Sequence, residues 1–88
     1  MVHFNINIKG RVQGVYFRAT TVKAAEKLNL NGIVKNESDG SVSIEVEGTK
    51  EQIEPFLKWC YQGPPLAKIK EVKITQSPVI NYESFRII

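Results

Sequence analysis

The spacing of apolar residues along this chain switches between a period of two and a period near 3.6, and this switch limits the folds available to it. Residues 2 to 8 alternate apolar and polar side chains, which is typical of a strand with one buried face. From Phe17 to Leu28 the apolar residues instead recur at helical spacing. Since strands and helices bury their apolar faces against each other, the chain is expected to pack helices on a sheet.

The middle of the chain returns to alternation. Ile33 to Asn36 begin a second predicted strand, and residues 41 to 47 alternate apolar and polar side chains as a third. Asp39 and Gly40 between them are a strong turn signal, so we expect these two strands to be antiparallel.

A second helix is predicted after Gly48. Thr49 and Gln52 fit a capping box at its start, and Gly63-Pro64-Pro65 stops it. Its apolar stripe consists of Ile53, Phe56, Leu57 and Cys60.

Two further strands complete the predicted order. Ile69, Val72 and Ile74 indicate a fourth strand with an irregularity near Lys70-Glu71. Tyr82 to Ile88 indicate a short final strand whose Phe85 and Ile87 point inward.

The predicted order of elements is that of an α+β, ferredoxin-like βαββαβ sandwich: an antiparallel sheet with two helices packed on one face and a short extra C-terminal strand. With 88 residues, the chain is expected to form a single domain over residues 1–88. Many functions share this fold, so the function must be argued from a site.

Charge and cysteine content narrow the classes of function. A net charge of +3 suits an anionic small molecule and falls short of the dense basic stripe expected of a nucleic-acid binder. The one cysteine, Cys60, cannot form an internal disulfide and is expected in the core. No apolar run is long enough to span a membrane, and the first residues lack a signal-peptide pattern, so we expect a cytoplasmic protein.

The loop between the first strand and the first helix carries the strongest functional signal. Gly10 and Gly14 allow tight turns, and successive amides in such a turn can form an anion-binding nest at the start of the helix. Arg18 can add a planar fork that matches two phosphate oxygens. From these residues alone, a tight strand-to-helix turn with a solvated arginine is the favoured interpretation.

The segment Gly10-Arg11-Val12-Gln13-Gly14-Val15-Tyr16-Phe17-Arg18 closely resembles the signature loop of the acylphosphatases. Gly32-Ile33-Val34-Lys35-Asn36, followed by Asp39-Gly40-Ser41-Val42, is similar to that family's second motif. Gly48 and the segment Gly63-Pro64-Pro65-Leu66-Ala67 also fit, so the resemblance covers essentially the whole chain. It departs at Ile33, where many members carry Trp, and this difference is expected to affect local packing more than activity.

The resemblance implies an enzyme that hydrolyses acyl phosphates to carboxylate and inorganic phosphate, without metal or cofactor. It implies that Arg18 binds the substrate phosphate and that Asn36 positions the attacking water. It also implies a phosphate cradle made by the backbone amides of Gln13, Gly14, Val15, Tyr16, Phe17 and Arg18. We expect a monomer whose partners are the substrate and product, with no nucleic acid and no membrane.

Two alternatives remain. The first is a non-catalytic ferredoxin-like module that binds an anionic ligand or RNA, although no strand carries the aromatic-rich consensus of RNA-recognition domains. The second is a regulatory or transfer domain like the one that begins the hydrogenase-maturation carbamoyltransferases. Because those proteins are much longer, a stand-alone enzyme is expected here.

Several other residues receive structural interpretations. His3 lies on the polar phase of the first strand and is predicted at the surface, and Glu45 and Glu47 are predicted to face solvent. Lysines at positions 68, 70 and 73 are predicted to line a solvated sheet edge. With no cluster of His and Cys, a zinc site is not expected.

Overall fold

The computed structural model describes residues 1–88 and contains the elements that the periodicity predicts. In chain order they are β1 (Val2–Arg11), α1 (Phe17–Lys27), β2 (Asn31–Asn36), β3 (Val42–Gly48), α2 (Lys50–Gln62), β4 (Lys68–Ser77) and β5 (Phe85–Ile87). The predicted ferredoxin-like α+β fold with an extra C-terminal strand is confirmed. Neither helix combines the length and hydropathy that crossing a lipid bilayer requires.

The sheet has the strand order β4-β1-β3-β2-β5. Its first four strands pair antiparallel, as predicted, but β5 pairs parallel to β2, so the whole sheet is mixed. The difference arises because residues 78 to 84 carry the chain from one edge of the sheet to the other before β5 begins. Consequently the carboxyl ends of β2 and β5 lie beside each other, at the same end of the sheet.

The core lies between the sheet and the two helices. Ile6, Ile8 and Val34 are fully buried on the strands, and Phe17 and Phe56 are buried on the helices. Trp59 covers the seam between the helices, with its ring 5.6 Å from Phe17 and 5.9 Å from Phe56. Cys60 is buried in the same core, as predicted, and burial raises the pKa of its thiol to about 12.

The irregularity predicted near Lys70-Glu71 is a shift of register between β1 and β4. Lys9 pairs with Glu71 whereas Gly10 pairs with Ile69, so Lys70 is the extra residue of a β-bulge. Gly10 has φ +136°, and a Cβ at this position would overlap the carbonyl oxygen of Lys68. This position therefore requires glycine, and the bend it allows leads β1 into the following loop. The lysines at 68, 70 and 73 are exposed on the edge strand β4, as predicted.

The surface predictions for His3 and Glu47 are wrong. His3 is 0% exposed, and its Nδ1 lies 2.7 Å from Glu47 Oε2. Tyr82 stacks on the imidazole with ring centroids 6.1 Å apart, and the N–H groups of Ile80 and Tyr82 donate to the Glu47 carboxylate. The segment between β4 and β5 thus covers this end of the sheet face that the helices leave open, and Glu45 beside it is partly buried.

Glu47 is the acceptor that fastens this covering segment. Burial alone would raise the pKa of its carboxyl, but hydrogen bonds with His3 and from the N–H groups of Ile80 and Tyr82 outweigh burial and lower the pKa below its ordinary value. A lowered pKa means that the folded protein favours the ionised carboxylate. The stabilisation that these hydrogen bonds give to the fold is therefore fully present above the unfolded-state pKa, and it is lost as the pH falls through the folded-state pKa.

Candidate active site

Residues 12 to 16 connect β1 to α1 and alternate between buried anchors and turning positions. Val12 and Val15 are buried in the core, whereas Gly14 (φ 73°) and Tyr16 (φ 64°) have left-handed backbone conformations. The backbone amides from Gln13 to Arg18 donate to no carbonyl of the chain. The loop is therefore held by its valines, which leaves its amides available as donors.

Helix α1 begins without a side-chain cap. Its N-cap is Tyr16, whose side chain makes no capping hydrogen bond, and no acidic residue lies in the first turn. The carbonyl of Tyr16 already accepts from Thr20, both from its backbone N–H (3.0 Å) and from its hydroxyl (2.8 Å). The first-turn N–H groups and the positive end of the helix dipole are thus left for a ligand.

A cavity of about 430 Å³ lies at this end of α1. It brings together the two predicted catalytic side chains, Arg18 and Asn36, which lie on different elements. The lining residues are Val12, Gly14, Tyr16, Phe17, Arg18, Ala19, Asn36 and Ile87. Of the predicted cradle residues, Gln13 and Val15 are outside this lining.

Arg18 is the one charged residue in the cavity lining. It is exposed and makes no ion pair or hydrogen bond with another side chain, so its guanidinium is free to bind an anion. Together with the amides of the loop, this charge favours an anionic ligand such as a phosphate. No group of three or more His, Cys, Asp or Glu side chains is arranged to hold a metal ion.

Asn36 is the last residue of β2, and it combines a place in the cavity lining with a buried, unpaired side-chain oxygen. Its Oδ1 is buried and has no hydrogen-bond partner in the protein. A buried polar atom without a partner costs about 1–3 kcal/mol, and such atoms are often found at functional sites. Asn36 also lines the cavity, so its side-chain amide is placed to hydrogen-bond a molecule bound there.

Gln13 has a role that the sequence did not reveal. Its Nε2 donates to the carbonyls of Glu37 (2.8 Å) and Ser41 (3.0 Å), which lie on the turn between β2 and β3. These bonds tie the loop to the segment that directly follows Asn36. Because the partners are backbone groups far along the chain, no sequence motif points to them.

Ile87 was predicted to point inward, and this prediction is only half right. It lies on the same side of the sheet as buried Phe85 but is 47% exposed. The reason is that α1 begins at Phe17 and covers the sheet only from there, so Ile87 borders the cavity instead of the core. Val12, Ala19 and Ile87 are thus lining residues that the sequence did not indicate.

Comparison with known proteins adds to this geometry. The family model described as acylphosphatase matches residues 4–87. An acylphosphatase of Thermococcus kodakarensis is 38% identical over 87 residues, which are 99% of this chain and 96% of that protein. The crystal structure of acylphosphatase from Bacillus subtilis has a TM-score of 0.97 at 35% identity, covering 100% of this chain and 99% of that one. HypF from T. kodakarensis has a TM-score of 0.83 at 39% identity, with 99% of this chain matching 12% of that chain.

Proposed function

This chain belongs to the acylphosphatase family and is a hydrolase of acyl phosphates, and we propose that the cavity between the loop and Asn36 is its active site. The observation that carries the proposal is the meeting, in one cavity, of Arg18, the uncapped start of α1 and the side-chain amide of Asn36. These are a cation, a set of backbone amide donors and a side-chain amide, which are the groups that an acyl phosphate and a water molecule need.

In this proposal the substrate phosphate lies against the amides from Gln13 to Arg18, and the guanidinium of Arg18 binds two of its oxygens. The transition state of phosphoryl transfer spreads negative charge over the equatorial oxygens. Donors fixed by the buried valines of the loop stabilise that charge without having to reorient. Two unit charges ~4 Å apart at an effective dielectric constant of ~20 attract by about 4 kcal/mol, so Arg18 is expected to contribute strongly.

The attacking water is held by Asn36. Its side-chain amide forms a hydrogen bond with the water, which orients a lone pair of the water oxygen toward phosphorus. A carboxamide does not take up a proton near neutral pH, so Asn36 acts by position and not as a base. The new P–O bond forms as the bond to the acyl oxygen breaks, the carboxylate leaves with the bonding pair, and a phosphate oxygen of the substrate takes the proton from water.

The setting of the reaction is part of the same proposal. Residues 1–88 act as one domain and as a monomer, in the cytoplasm, without nucleic acid, metal or cofactor. The match of one family model to residues 4–87 supports the single domain. The unpaired, buried thiol of Cys60 fits a reducing compartment.

The decisive experiment measures phosphate release from acetyl phosphate. We expect Arg18→Ala to lower kcat/KM about 10³-fold, since ~4 kcal/mol corresponds to roughly three factors of ten. Arg11→Ala, which removes an exposed arginine outside the cavity lining, is the matched control and is expected to keep full activity. Wild-type activity unchanged by Arg18→Ala would rule out this site, and binding of phosphate without any hydrolysis would favour the non-catalytic module.

Asn36→Ala separates positioning from binding. We expect kcat to fall about 100-fold with little change in KM, because misplacing a reacting group by about 1 Å costs on that order. Thermal stability should stay the same or rise, since the variant removes a buried acceptor that has no partner. An increase in KM with unchanged kcat would instead assign Asn36 to substrate binding.

A further inference from the structure

The two halves of the proposed site lie on segments that share no strand pairing. In the sheet, β3 separates β1 from β2. Ile8 and Asn36 both pair with Val42, and these are the last pairs of their two ladders. Beyond them, no backbone hydrogen bond joins the loop of residues 12–16 to the turn of residues 37–41. The sheet alone therefore does not fix the distance between this loop and Asn36.

The side chain of Gln13 connects the two segments. Its Nε2 donates both of its N–H groups, one to the Glu37 carbonyl at 2.8 Å and one to the Ser41 carbonyl at 3.0 Å. No other hydrogen bond joins residues 12–16 to residues 37–41. Gln13 is half-buried and lies outside the cavity lining, so its side chain contacts the protein and leaves the ligand space free.

The turn of residues 37–41 has its own internal hydrogen bonds. The N–H of Glu37 donates to the Ser41 carbonyl at 2.8 Å, and the N–H of Gly40 donates to the Glu37 carbonyl at 3.2 Å. Asp39 Oδ1 accepts from the N–H of Ser41 at 2.9 Å and from its hydroxyl at 2.6 Å. Each carbonyl that Gln13 contacts thus has a backbone donor as well. The turn is closed without Gln13, which adds only the attachment of the loop to it.

We propose that the side chain of Gln13 is a positioning residue for the hydrolysis, because it fixes the phosphate-binding loop relative to Asn36. The inference rests on the proposed function, in which the loop holds the phosphate and Asn36 holds the water. Phosphorus and water are then carried by different segments, and a misplacement of about 1 Å between reacting groups can cost on the order of 10² in rate. A neutral amide that bonds two carbonyls adds no charge to the cavity, so its effect is on geometry.

Gln13→Met removes the donor and keeps an unbranched stem. We expect kcat for acetyl phosphate to fall about tenfold, which is part of the loss that a 1 Å misplacement can cause. KM and the inhibition constant of inorganic phosphate should stay nearly unchanged, because the buried Val12 and Val15 still anchor the loop. An unchanged kcat would overturn the proposal. A rise in the inhibition constant as large as the fall in kcat would also overturn it, since Gln13 would then shape the phosphate cradle itself.

Gln13→Glu tests whether the hydrogen-bond donor is the cause. A carboxylate cannot donate, but a protonated carboxyl has one O–H that can donate to one of the two carbonyls. The kcat of Gln13→Glu relative to wild type should therefore recover as the pH falls from about 7 to about 4.5, near the ordinary pKa of glutamate. At the acid end it should exceed the kcat of Gln13→Met, since loss of charge alone would only make the two variants equal. Equal values there would contradict the proposal.

A double-mutant cycle with Asn36→Ala tests which residue Gln13 acts through. If Gln13 positions the loop relative to the water at Asn36, then Gln13→Met should lower kcat little further once Asn36 is alanine. Losses of kcat that multiply in the double variant would show that the two residues act independently, and would overturn the proposal.

Asn7→Ala is the matched control. Asn7 is also a half-buried amide, and its Nδ2 donates to the hydroxyls of Ser41 (3.0 Å) and Ser43 (3.2 Å) without contacting the loop. It should lower the Tm and leave kcat unchanged, and a loss of kcat equal to that of Gln13→Met would reduce Gln13 to a stabiliser of the turn. Full activity of Gln13→Met beside an inactive Arg18→Ala would overturn the positioning role alone. Full activity of both variants would overturn the proposed function as well.

Discussion

The two helices of this protein begin in opposite ways. At the start of α2, Thr49 Oγ1 accepts from the N–H of Gln52 at 3.2 Å, and Gln52 Oε1 accepts from the N–H of Thr49 at 2.9 Å. Glu51 adds a negative charge to that first turn. At the start of α1, Tyr16 stands in a left-handed conformation with no side-chain cap, and Arg18 adds a positive charge.

The difference shows how one fold divides its helix ends between stability and binding. A capping residue is typically worth about 1 kcal/mol, and α2 takes that stabilisation within the protein. Helix α1 forgoes it, and the N–H groups of its first turn stay available to an anion. The uncapped end therefore makes the free protein less stable, and a phosphate bound there would stabilise it again.

The largest effect on phosphate binding is expected when the N-cap residue of α1 is made acidic, as the N-terminus of α2 is. Tyr16→Asp places a carboxylate at the phosphate cradle, and Asp tolerates the left-handed backbone found there. Repulsion between unit charges at about 8 Å with an effective dielectric constant of ~20 is about 2 kcal/mol, so KM for acetyl phosphate should rise about 30-fold. Steady-state kinetics measure this rise in KM, and the inhibition constant of inorganic phosphate should rise with it.

Tyr16→Asn is the control for Tyr16→Asp, because asparagine has the shape of aspartate and tolerates the same backbone conformation but carries no charge. A small change in KM for Asn beside a large one for Asp would identify charge as the cause. Equal changes in both variants would point instead to the lost tyrosine ring.

Inorganic phosphate should stabilise the protein through the uncapped end of α1. At ten times its dissociation constant, a ligand of the folded state adds about 1.4 kcal/mol, which raises the Tm of a domain this size by about 6 °C or more. Thermal denaturation with phosphate and with sodium chloride at matched ionic strength measures the shift. Arg18→Ala should lose most of it, and an equal shift in that variant would contradict binding at this site.

Removing the cap of α2 should affect stability alone. Thr49→Ala is expected to cost about 1 kcal/mol, or about 4–8 °C in Tm, while kcat and KM stay at wild-type values. Thr49→Ser, which keeps the capping hydroxyl, should be close to wild type. A loss of activity in Thr49→Ala that exceeds the unfolded fraction would show that the two helix ends are coupled.

The smallest effect is expected at Glu51. Glu51→Gln removes the acidic residue from the first turn of α2 and should cost about 0.3–1 kcal/mol at low salt, with the difference fading as salt is added. Glu54→Gln, one turn further along and equally exposed, should cost less. Urea denaturation at two salt concentrations distinguishes these outcomes.

Local patterns predicted most of this molecule. The alternation in β1 and β3, the capping box at Thr49 and the irregularity at Lys70 are all effects of neighbouring residues, and the structure confirms them. The prediction that Arg18 and Asn36 belong to one site came from a family resemblance, and the two residues do line one cavity.

Predictions failed where distant segments meet. His3 and Glu47 have the polar phase that normally faces water, but residues 78 to 84 cross over them and bury both. Ile87 has the phase of a core residue, but the helix that would cover it begins too late in the chain. In each case the alternation predicted the correct face of the sheet for the side chain. It could not predict whether another segment of the chain covers that face.

The strand order also governs when the protein can fold during its own synthesis. β1 emerges first from the ribosome, yet it lies inside the sheet and needs β4 as one neighbour. At about 5–20 residues per second, roughly three seconds or more pass between the synthesis of the two strands. Throughout that interval the loop that leads to Arg18 lacks the bulged pairing at Gly10, so we expect phosphate binding to be among the last properties that a nascent chain acquires.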